Sequence, residues 1–144
     1  MQDTTTIKGT CHCGNIRFLL KWPDSSPEVP VRVCGCTYCQ KHGGAWTSHP
    51  DARLDVHIDK PTAVSRYRFG TKTADFHVCS ICGVAPFVTS DIEDGLYAVV
   101  SVNAFDDAED LAYDRSATDF DGEDTGSRLD RRRRNWIGDV HIVR

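Results

Sequence analysis

Seven cysteines are the residues of this chain with the clearest capacity for chemistry, because they stand in three short clusters. An odd number of thiols cannot pair completely into disulfides within one chain. Two thiolates a few residues apart can converge on one zinc ion, with each sulfur about 2.3 Å from the metal. The spacing therefore predicts metal binding, with zinc as the favoured ion. The clusters are Cys11-x-Cys13-Gly14, Cys34-x-Cys36-x-x-Cys39 and Cys79-x-x-Cys82-Gly83.

The number of thiols fits one closed metal site and one open site. A structural zinc site takes four protein ligands, whereas a catalytic site takes three and leaves one position open. A glycine follows the first and the third cluster, so these two pairs form a natural set of four, and the second cluster remains as a set of three. A zinc ribbon of Cys36/Cys39 with Cys79/Cys82 is the alternative, although it leaves three thiols unused. The residues alone leave both partitions open.

Other cofactors and reaction classes find little support in the sequence. No cluster has the cysteine spacing of ferredoxins, which disfavours an iron–sulfur site. The chain contains no G-x-S-x-G, no phosphate-binding P-loop, no G-x-G-x-x-G and no H-E-x-x-H, so the common hydrolase, nucleotide-binding and metalloprotease classes are not indicated. Among six histidines, His42 lies three residues after Cys39 and is the best placed to touch a ligand of the second site. We expect no direct catalytic role for it.

Composition and charge limit where the protein works and what it binds. The 144 residues are expected to form a single domain, 1–144. A net charge of -4 makes a nucleic-acid partner unexpected. The sequence contains no apolar run long enough to predict a membrane-spanning helix. The first residues also lack the basic and apolar regions of a secretory signal. We therefore expect a cytoplasmic protein, in which the thiols stay reduced.

The elements that must position the cysteines are predicted to be strands. Two-residue alternation of apolar side chains dominates the chain from about residue 15 to residue 102, and turn residues separate the runs. This pattern is typical of an antiparallel sandwich or barrel-like fold with few or no helices. The first cysteine cluster precedes a predicted strand and the second ends one. The predicted strands include Ile16–Trp22, Val29–Val33, Leu54–Ile58, Ala63–Phe69 and Leu96–Val102.

The C-terminal segment, 104–144, has a different character. Ten acidic residues lie between Asp106 and Asp130, and an unbroken basic run, Arg131–Arg134, follows them. We predict a solvated, loosely packed segment whose charges face water or each other. A nucleic-acid patch is the alternative, but the neighbouring acids cancel much of its field. Apolar residues from Trp136 to Val143 indicate that the chain end returns to pack on the body of the protein.

Residues around the cysteines complete a longer pattern. In chain order it contains Gly9-x-Cys11-x-Cys13-Gly14-Asn15-Ile16-Arg17-Phe18, Cys34-x-Cys36-x-x-Cys39-x-Lys41 with Gly43-Gly44-Ala45, Tyr67-x-Phe69, and Phe76-x-x-Cys79-x-x-Cys82-Gly83. This order resembles the glutathione-dependent formaldehyde-activating enzyme family, which also includes centromere protein V. The resemblance extends from about Gly9 to about Asn103, and it is specific because three cysteine clusters occur in the right order with their flanking residues.

The resemblance implies a fold, two metal sites and an activity. The fold would be a β-tent of antiparallel sheets built around zinc. The activity would be that of an S-(hydroxymethyl)glutathione synthase, a carbon–sulfur lyase, with a small thiol such as glutathione as substrate. Two zinc ions per chain are expected, and the second could be lost on purification. The implied ligands are Cys11, Cys13, Cys79 and Cys82 for the structural zinc, and Cys34, Cys36 and Cys39 for the second, labile zinc.

Two functions of different classes follow. One is a zinc lyase that acts on a thiol–aldehyde adduct, with Cys34, Cys36 and Cys39 at its catalytic zinc. The carboxylates of a tripeptide thiol would then need cationic partners, for which Lys41, Arg66, Arg68 and Arg131–Arg134 are candidates. The other is a non-catalytic zinc scaffold that binds a partner. A fourth protein ligand at the second cluster would favour the scaffold.

Overall fold

Two β-sheets contain the eleven strands found in the described residues of this computed structural model, which are 4–23, 28–93, 95–106, 111–120 and 122–144. A helix of six residues, α1 (Thr37–His42), and one of eleven, α2 (Thr125–Asn135), accompany them. The mainly β prediction is therefore confirmed. The strands are β1 (Thr4–Thr10), β2 (Ile16–Pro23), β3 (Glu28–Cys34), β4 (Ala45–Thr47), β5 (Arg53–Ile58), β6 (Val64–Tyr67), β7 (Asp75–Cys79), β8 (Phe87–Ile92), β9 (Gly95–Ser101), β10 (Ala112–Thr118) and β11 (Asp139–Val143).

The order of strands shows how the C-terminal segment joins an otherwise antiparallel structure. The smaller sheet has the order β1-β2-β5-β11, and the larger has the order β10-β3-β4-β9-β8-β7-β6. Two pairs are parallel, β10 with β3 and β11 with β5. Both include an edge strand from the C-terminal segment. The chain end thus packs on the body, as its apolar residues predicted, and Ile137 is fully buried beside Ala98.

The larger sheet is covered on both faces, because neighbouring residues of a strand point in opposite directions. In β9, Ala98 and Val100 belong to the main core, which is shared with the smaller sheet. Val99 lies on the opposite face, in a second apolar cluster that includes Trp46 and Trp136. The continuous apolar run of β9 is explained by this burial on two sides. The second face is the one that carries α1.

The prediction that the charges of the C-terminal segment face water or each other is wrong for Arg132 of α2, whereas Arg131 and Arg133 do pair with Glu123 and Asp130. The Asp124 carboxylate caps the helix by accepting a hydrogen bond of 2.7 Å from the Ser127 N–H. Arg132 is only 6% exposed, and its guanidinium donates to the hydroxyls of Thr73, between β6 and β7, and Ser90 of β8 and stacks on Trp136. Three positively charged side chains in the last turn also favour the helix, because they oppose its partial negative charge. The acidic residues 107, 109, 110 and 121 lie outside the described residues.

Membrane insertion through a helix is not indicated by the structure. Within the described ranges, neither α1 nor α2 has the length and apolar content needed to cross a bilayer.

Candidate metal centres

Four cysteines from distant parts of the chain meet at one end of the sheets. The ligand atoms of Cys11, Cys13, Cys79 and Cys82 all lie within 4.8 Å of one another. The Sγ atoms of Cys11 and Cys13 are 3.8 Å apart, and those of Cys13 and Cys79 are 3.5 Å apart. Four sulfurs arranged tetrahedrally at about 2.3 Å from a zinc ion would be about 3.8 Å from one another. The group could therefore hold a metal ion.

The two halves of this group are built alike. In each, the N–H of the first cysteine donates a hydrogen bond of 2.9 Å to the carbonyl five residues later, that of Ile16 or Val84. Gly14 and Gly83 adopt positive φ angles of 87° and 82°, which side chains rarely tolerate, so the chain can fold back at these points. The Ile16 N–H in turn donates to the Cys11 sulfur over 3.3 Å. Local hydrogen bonds thus hold each pair of sulfurs in place.

Burial and hydrogen bonds shift the pKa values of two thiols in this group in opposite directions. Burial raises the pKa of the Cys11 thiol to about 12. Burial acts in the same direction on Cys82, but hydrogen bonds from the N–H groups of Val84 and Cys13 outweigh it and lower the pKa of Cys82 to about 6. A cation among the four sulfurs would favour the thiolate form of every one. The donor set is therefore suited to a metal ion.

The second cluster is local. Cys34 ends β3, Cys36 caps α1, and Cys39 lies in the first turn of that helix. Their sulfurs are within 4.8 Å of one another. The Cys36 sulfur accepts a hydrogen bond of 3.3 Å from the Cys39 N–H, and the Cys39 sulfur accepts one of 3.4 Å from the indole N–H of Trp46. This second group could also hold a metal ion.

The close packing around Cys39 requires glycine at position 44. A Cβ atom there would lie 2.7 Å from the Cys39 sulfur and 2.8 Å from the Trp46 indole nitrogen.

The second cluster has three candidate ligands. Within the described part of the chain, no further His, Cys, Asp or Glu has a ligand atom within 4.8 Å of all three sulfurs. His42 instead stacks on the Tyr38 ring, with 5.2 Å between centroids. The structure thus brings together three thiols here and four at the other group, and it does not form the ribbon of Cys36/Cys39 with Cys79/Cys82.

A cavity of about 600 Å³ lies against the second cluster. All three of its cysteines line the cavity, whereas none of the four cysteines at the other group does. A volume of this size is within the range of sites for small molecules. Aromatic and charged side chains form much of the remaining wall. The aromatic residues are Trp46, Phe69, Phe76, Phe120 and Trp136, and the charged residues are Arg32, Glu123, Arg128, Arg131 and Arg132.

The basic residues of the cavity differ in part from the predicted ones. Lys41, Arg66 and Arg68 do not line it. Arg68 instead forms an ion pair with Asp75. Of the predicted basic run, Arg131 and Arg132 are present in the cavity wall.

Two basic residues of the cavity escaped the sequence analysis, although a signal for each was present. Alternation along β3 buries Val31 in the main core, so Arg32 points to the opposite face, as Cys34 does two residues later. Arg128 lies three and four residues before Arg131 and Arg132, which places all three on one side of a helix. A helical interpretation of the C-terminal segment would therefore have identified Arg128.

Comparison with known proteins adds two findings. A sequence profile of the family described as glutathione-dependent formaldehyde-activating enzyme matches residues 6–119. The matched range contains all seven cysteines and ends before α2. The chain is also similar to the crystal structure of a Rhodobacter sphaeroides protein, with 21% sequence identity and a TM-score of 0.49. That similarity covers 74% of this chain and 99% of the other.

Proposed function

The chain belongs to the glutathione-dependent formaldehyde-activating enzyme family, and from this premise we propose that it is a zinc-dependent carbon–sulfur lyase. Its substrates would be a small thiol such as glutathione and an aldehyde such as formaldehyde, which combine as S-(hydroxymethyl)glutathione. The observation that carries this proposal is the cluster of Cys34, Cys36 and Cys39, which lines a cavity and leaves room for a ligand.

Zinc is the metal that the donor sets favour. Cys11, Cys13, Cys79 and Cys82 would hold the structural ion, and Cys34, Cys36 and Cys39 would hold the second. Soft thiolate ligands in sets of four and three match zinc, which takes four ligands when its role is structural and leaves a position open when it is catalytic. The second ion would lower the pKa of a substrate thiol that coordinates it.

The residues of the cavity would prepare the substrates for reaction. The Trp46 indole orients the Cys39 sulfur, and the aromatic walls displace water from the thiol. The arginines attract the carboxylates of the substrate. In the reaction, the thiol sulfur forms a bond to the aldehyde carbon, the carbonyl π bond breaks, and the proton of the thiol ends on the former carbonyl oxygen. The balance needs no oxidant and no further reactant.

Catalysis should be visible as faster exchange between free and glutathione-bound formaldehyde. We expect zinc-loaded protein to accelerate adduct formation well above the spontaneous reaction, because the thiol is held as a thiolate beside the aldehyde. NMR exchange spectroscopy measures the rate in both directions. S-methylglutathione, which has no thiol, is the control and should form no S-hydroxymethyl adduct. Absence of any acceleration would reject the lyase and favour the non-catalytic zinc scaffold.

The second zinc should be removable without unfolding. Cys34, Cys36 and Cys39 lie within six residues, so they close almost no loop and contribute little to global stability. Mild chelation is expected to remove about one zinc per chain while far-UV circular dichroism stays unchanged. Metal analysis and dichroism on the same samples test this. Cooperative loss of both ions with unfolding would contradict the assignment of a labile second site.

A further inference from the structure

Two arginines of the cavity form no ion pair with any acidic residue that the structure describes. Arg132 is 6% exposed, and its Nη1 donates to the Thr73 carbonyl (3.2 Å), the Thr73 hydroxyl (2.8 Å) and the Ser90 hydroxyl (3.0 Å). Its Nε is buried and makes no hydrogen bond in the described structure. Arg32 is half-buried and donates to the Ser48 hydroxyl. All these acceptors are neutral, so no described carboxylate is hydrogen-bonded to either guanidinium.

The one acidic residue known to line the cavity is already engaged. The Glu123 carboxylate accepts hydrogen bonds from Arg131, the shorter two at 3.1 Å, and lies 3.9 Å from Arg128. The Arg131 hydrogen bond lowers the pKa of Glu123, which keeps that carboxylate ionised. Arg131 also stacks on Phe120, with its guanidinium carbon 3.6 Å from the ring centroid. Glu123 is thus hydrogen-bonded to Arg131, and none of the hydrogen bonds described for its carboxylate comes from Arg32 or Arg132.

An uncompensated charge in this position destabilises the folded protein. Removing a guanidinium from water costs free energy that neutral hydrogen-bond acceptors offset only in part. Burial lowers the pKa of Arg132 to about 10, and the charges of Arg131 and Arg128 act in the same direction. Arg132 and Arg32 both stay protonated at neutral pH. An anion in the cavity would relieve this cost. Among the described residues Glu123 does so only in part for Arg132, because its carboxylate is hydrogen-bonded to Arg131.

We propose that Arg32 and Arg132 form an anion subsite, which binds a carboxylate of the thiol substrate while its sulfur lies at Cys34, Cys36 and Cys39. The substrate class is therefore acidic thiols, and neutral or cationic thiols are discriminated against. The placement of the sulfur rests on the proposed lyase function, whereas the anion subsite requires neither metal nor reaction. Arg132 lies on α2, beyond the matched range 6–119, so part of this selectivity belongs to a segment that the family profile does not include.

The subsite can be tested by binding alone. Calorimetry with S-methylglutathione, which keeps both carboxylates but has no thiol, is expected to show binding to the wild-type chain. Arg132→Met and Arg32→Met should each weaken that binding at least about tenfold, because a charge-assisted hydrogen bond is lost. Arg134→Met is the matched control, since Arg134 is exposed on the same helix and does not line the cavity. Its binding should stay within about twofold of wild type.

Changing the ligand instead of the protein gives a test that does not depend on whether the variants fold. Esterifying both carboxylates of S-methylglutathione should weaken binding to the unmodified wild-type chain at least about tenfold, since the ester cannot form the ion pair. Arg132→Lys, which keeps the charge but loses the planar fork, should bind between wild type and Arg132→Met. Equal binding of the acid and its ester, or unchanged binding to both methionine variants, would overturn the subsite.

Kinetics with simple thiols separates this proposal from the lyase itself. We expect wild-type protein to accelerate adduct formation by 3-mercaptopropionate more than by 2-mercaptoethanol, and Arg132→Met to remove that preference. Equal acceleration of both thiols by wild type would overturn the subsite and leave the lyase standing. Charge-dependent binding of S-methylglutathione without acceleration of any thiol would support the subsite and reject the lyase.

Discussion

Cys82→Ser is expected to unfold the chain or cause it to aggregate. The four sulfurs of Cys11, Cys13, Cys79 and Cys82 join the β1–β2 connection to the end of β7, and Cys13 and Cys79 are 66 positions apart in the sequence. Structural zinc sites contribute apparent binding energies of about 10–16 kcal/mol in small metal-dependent domains. That is comparable with the whole stability of a typical domain, about 5–15 kcal/mol. Loss of one of the four zinc ligands should therefore prevent the chain from folding cooperatively.

Thermal unfolding followed by circular dichroism, with metal analysis of the same samples, measures this effect. Cys36→Ser is the matched control, because it makes the same chemical change at the local second cluster. The control should keep a cooperative transition near that of wild type. A Cys82→Ser protein with the wild-type melting temperature and one zinc fewer would show that this site is not structural.

Cys36→Ala should abolish thiol–aldehyde catalysis while the fold remains. Cys34 and Cys39 alone would hold zinc too weakly to present an activated thiolate. The Cys36 sulfur also caps α1 by accepting the Cys39 N–H, so a loss of stability of about 1 kcal/mol accompanies the change. NMR exchange rates, zinc content and melting temperature together measure the outcome. The expected result is one zinc lost, a melting temperature a few degrees lower, and a rate equal to the spontaneous background.

His42→Ala supplies the comparison for this variant. His42 lies at the end of the same helix and stacks on Tyr38, but it has no place among the three sulfurs. Its removal should therefore leave zinc content and exchange rate close to those of wild type. Undiminished catalysis by Cys36→Ala would place the reaction elsewhere, and a loss of catalysis with His42→Ala would assign that imidazole a role that the sequence analysis did not expect.

Features that depend only on residues close together in the chain could be predicted from the sequence. Thiols two or three positions apart can reach one ion whatever the rest of the chain does, so the clusters at Cys11, Cys34 and Cys79 indicated metal binding by themselves. Gly14 and Gly83 mark the turns with positive φ. The pattern of apolar residues predicted β2, β3, β5, β6 and β9, because a strand with one buried face repeats every two residues and a strand buried on both faces is continuously apolar. The family resemblance follows from the same local motifs, and the profile match agrees with it.

Features that depend on distant contacts were decided only by the tertiary structure. Which thiols lie together follows from the packing of the two sheets. It brings Cys13, between β1 and β2 of the smaller sheet, next to Cys79 at the end of β7 in the larger sheet, whereas Cys36 belongs to a separate group. The charged residues of α2 also fit the pattern of a solvated segment. Their polarity does not show that Arg132 contacts Thr73, Ser90 and Trp136. Pairing and burial of this kind arise from the packing of whole elements, and a short window of sequence does not contain them.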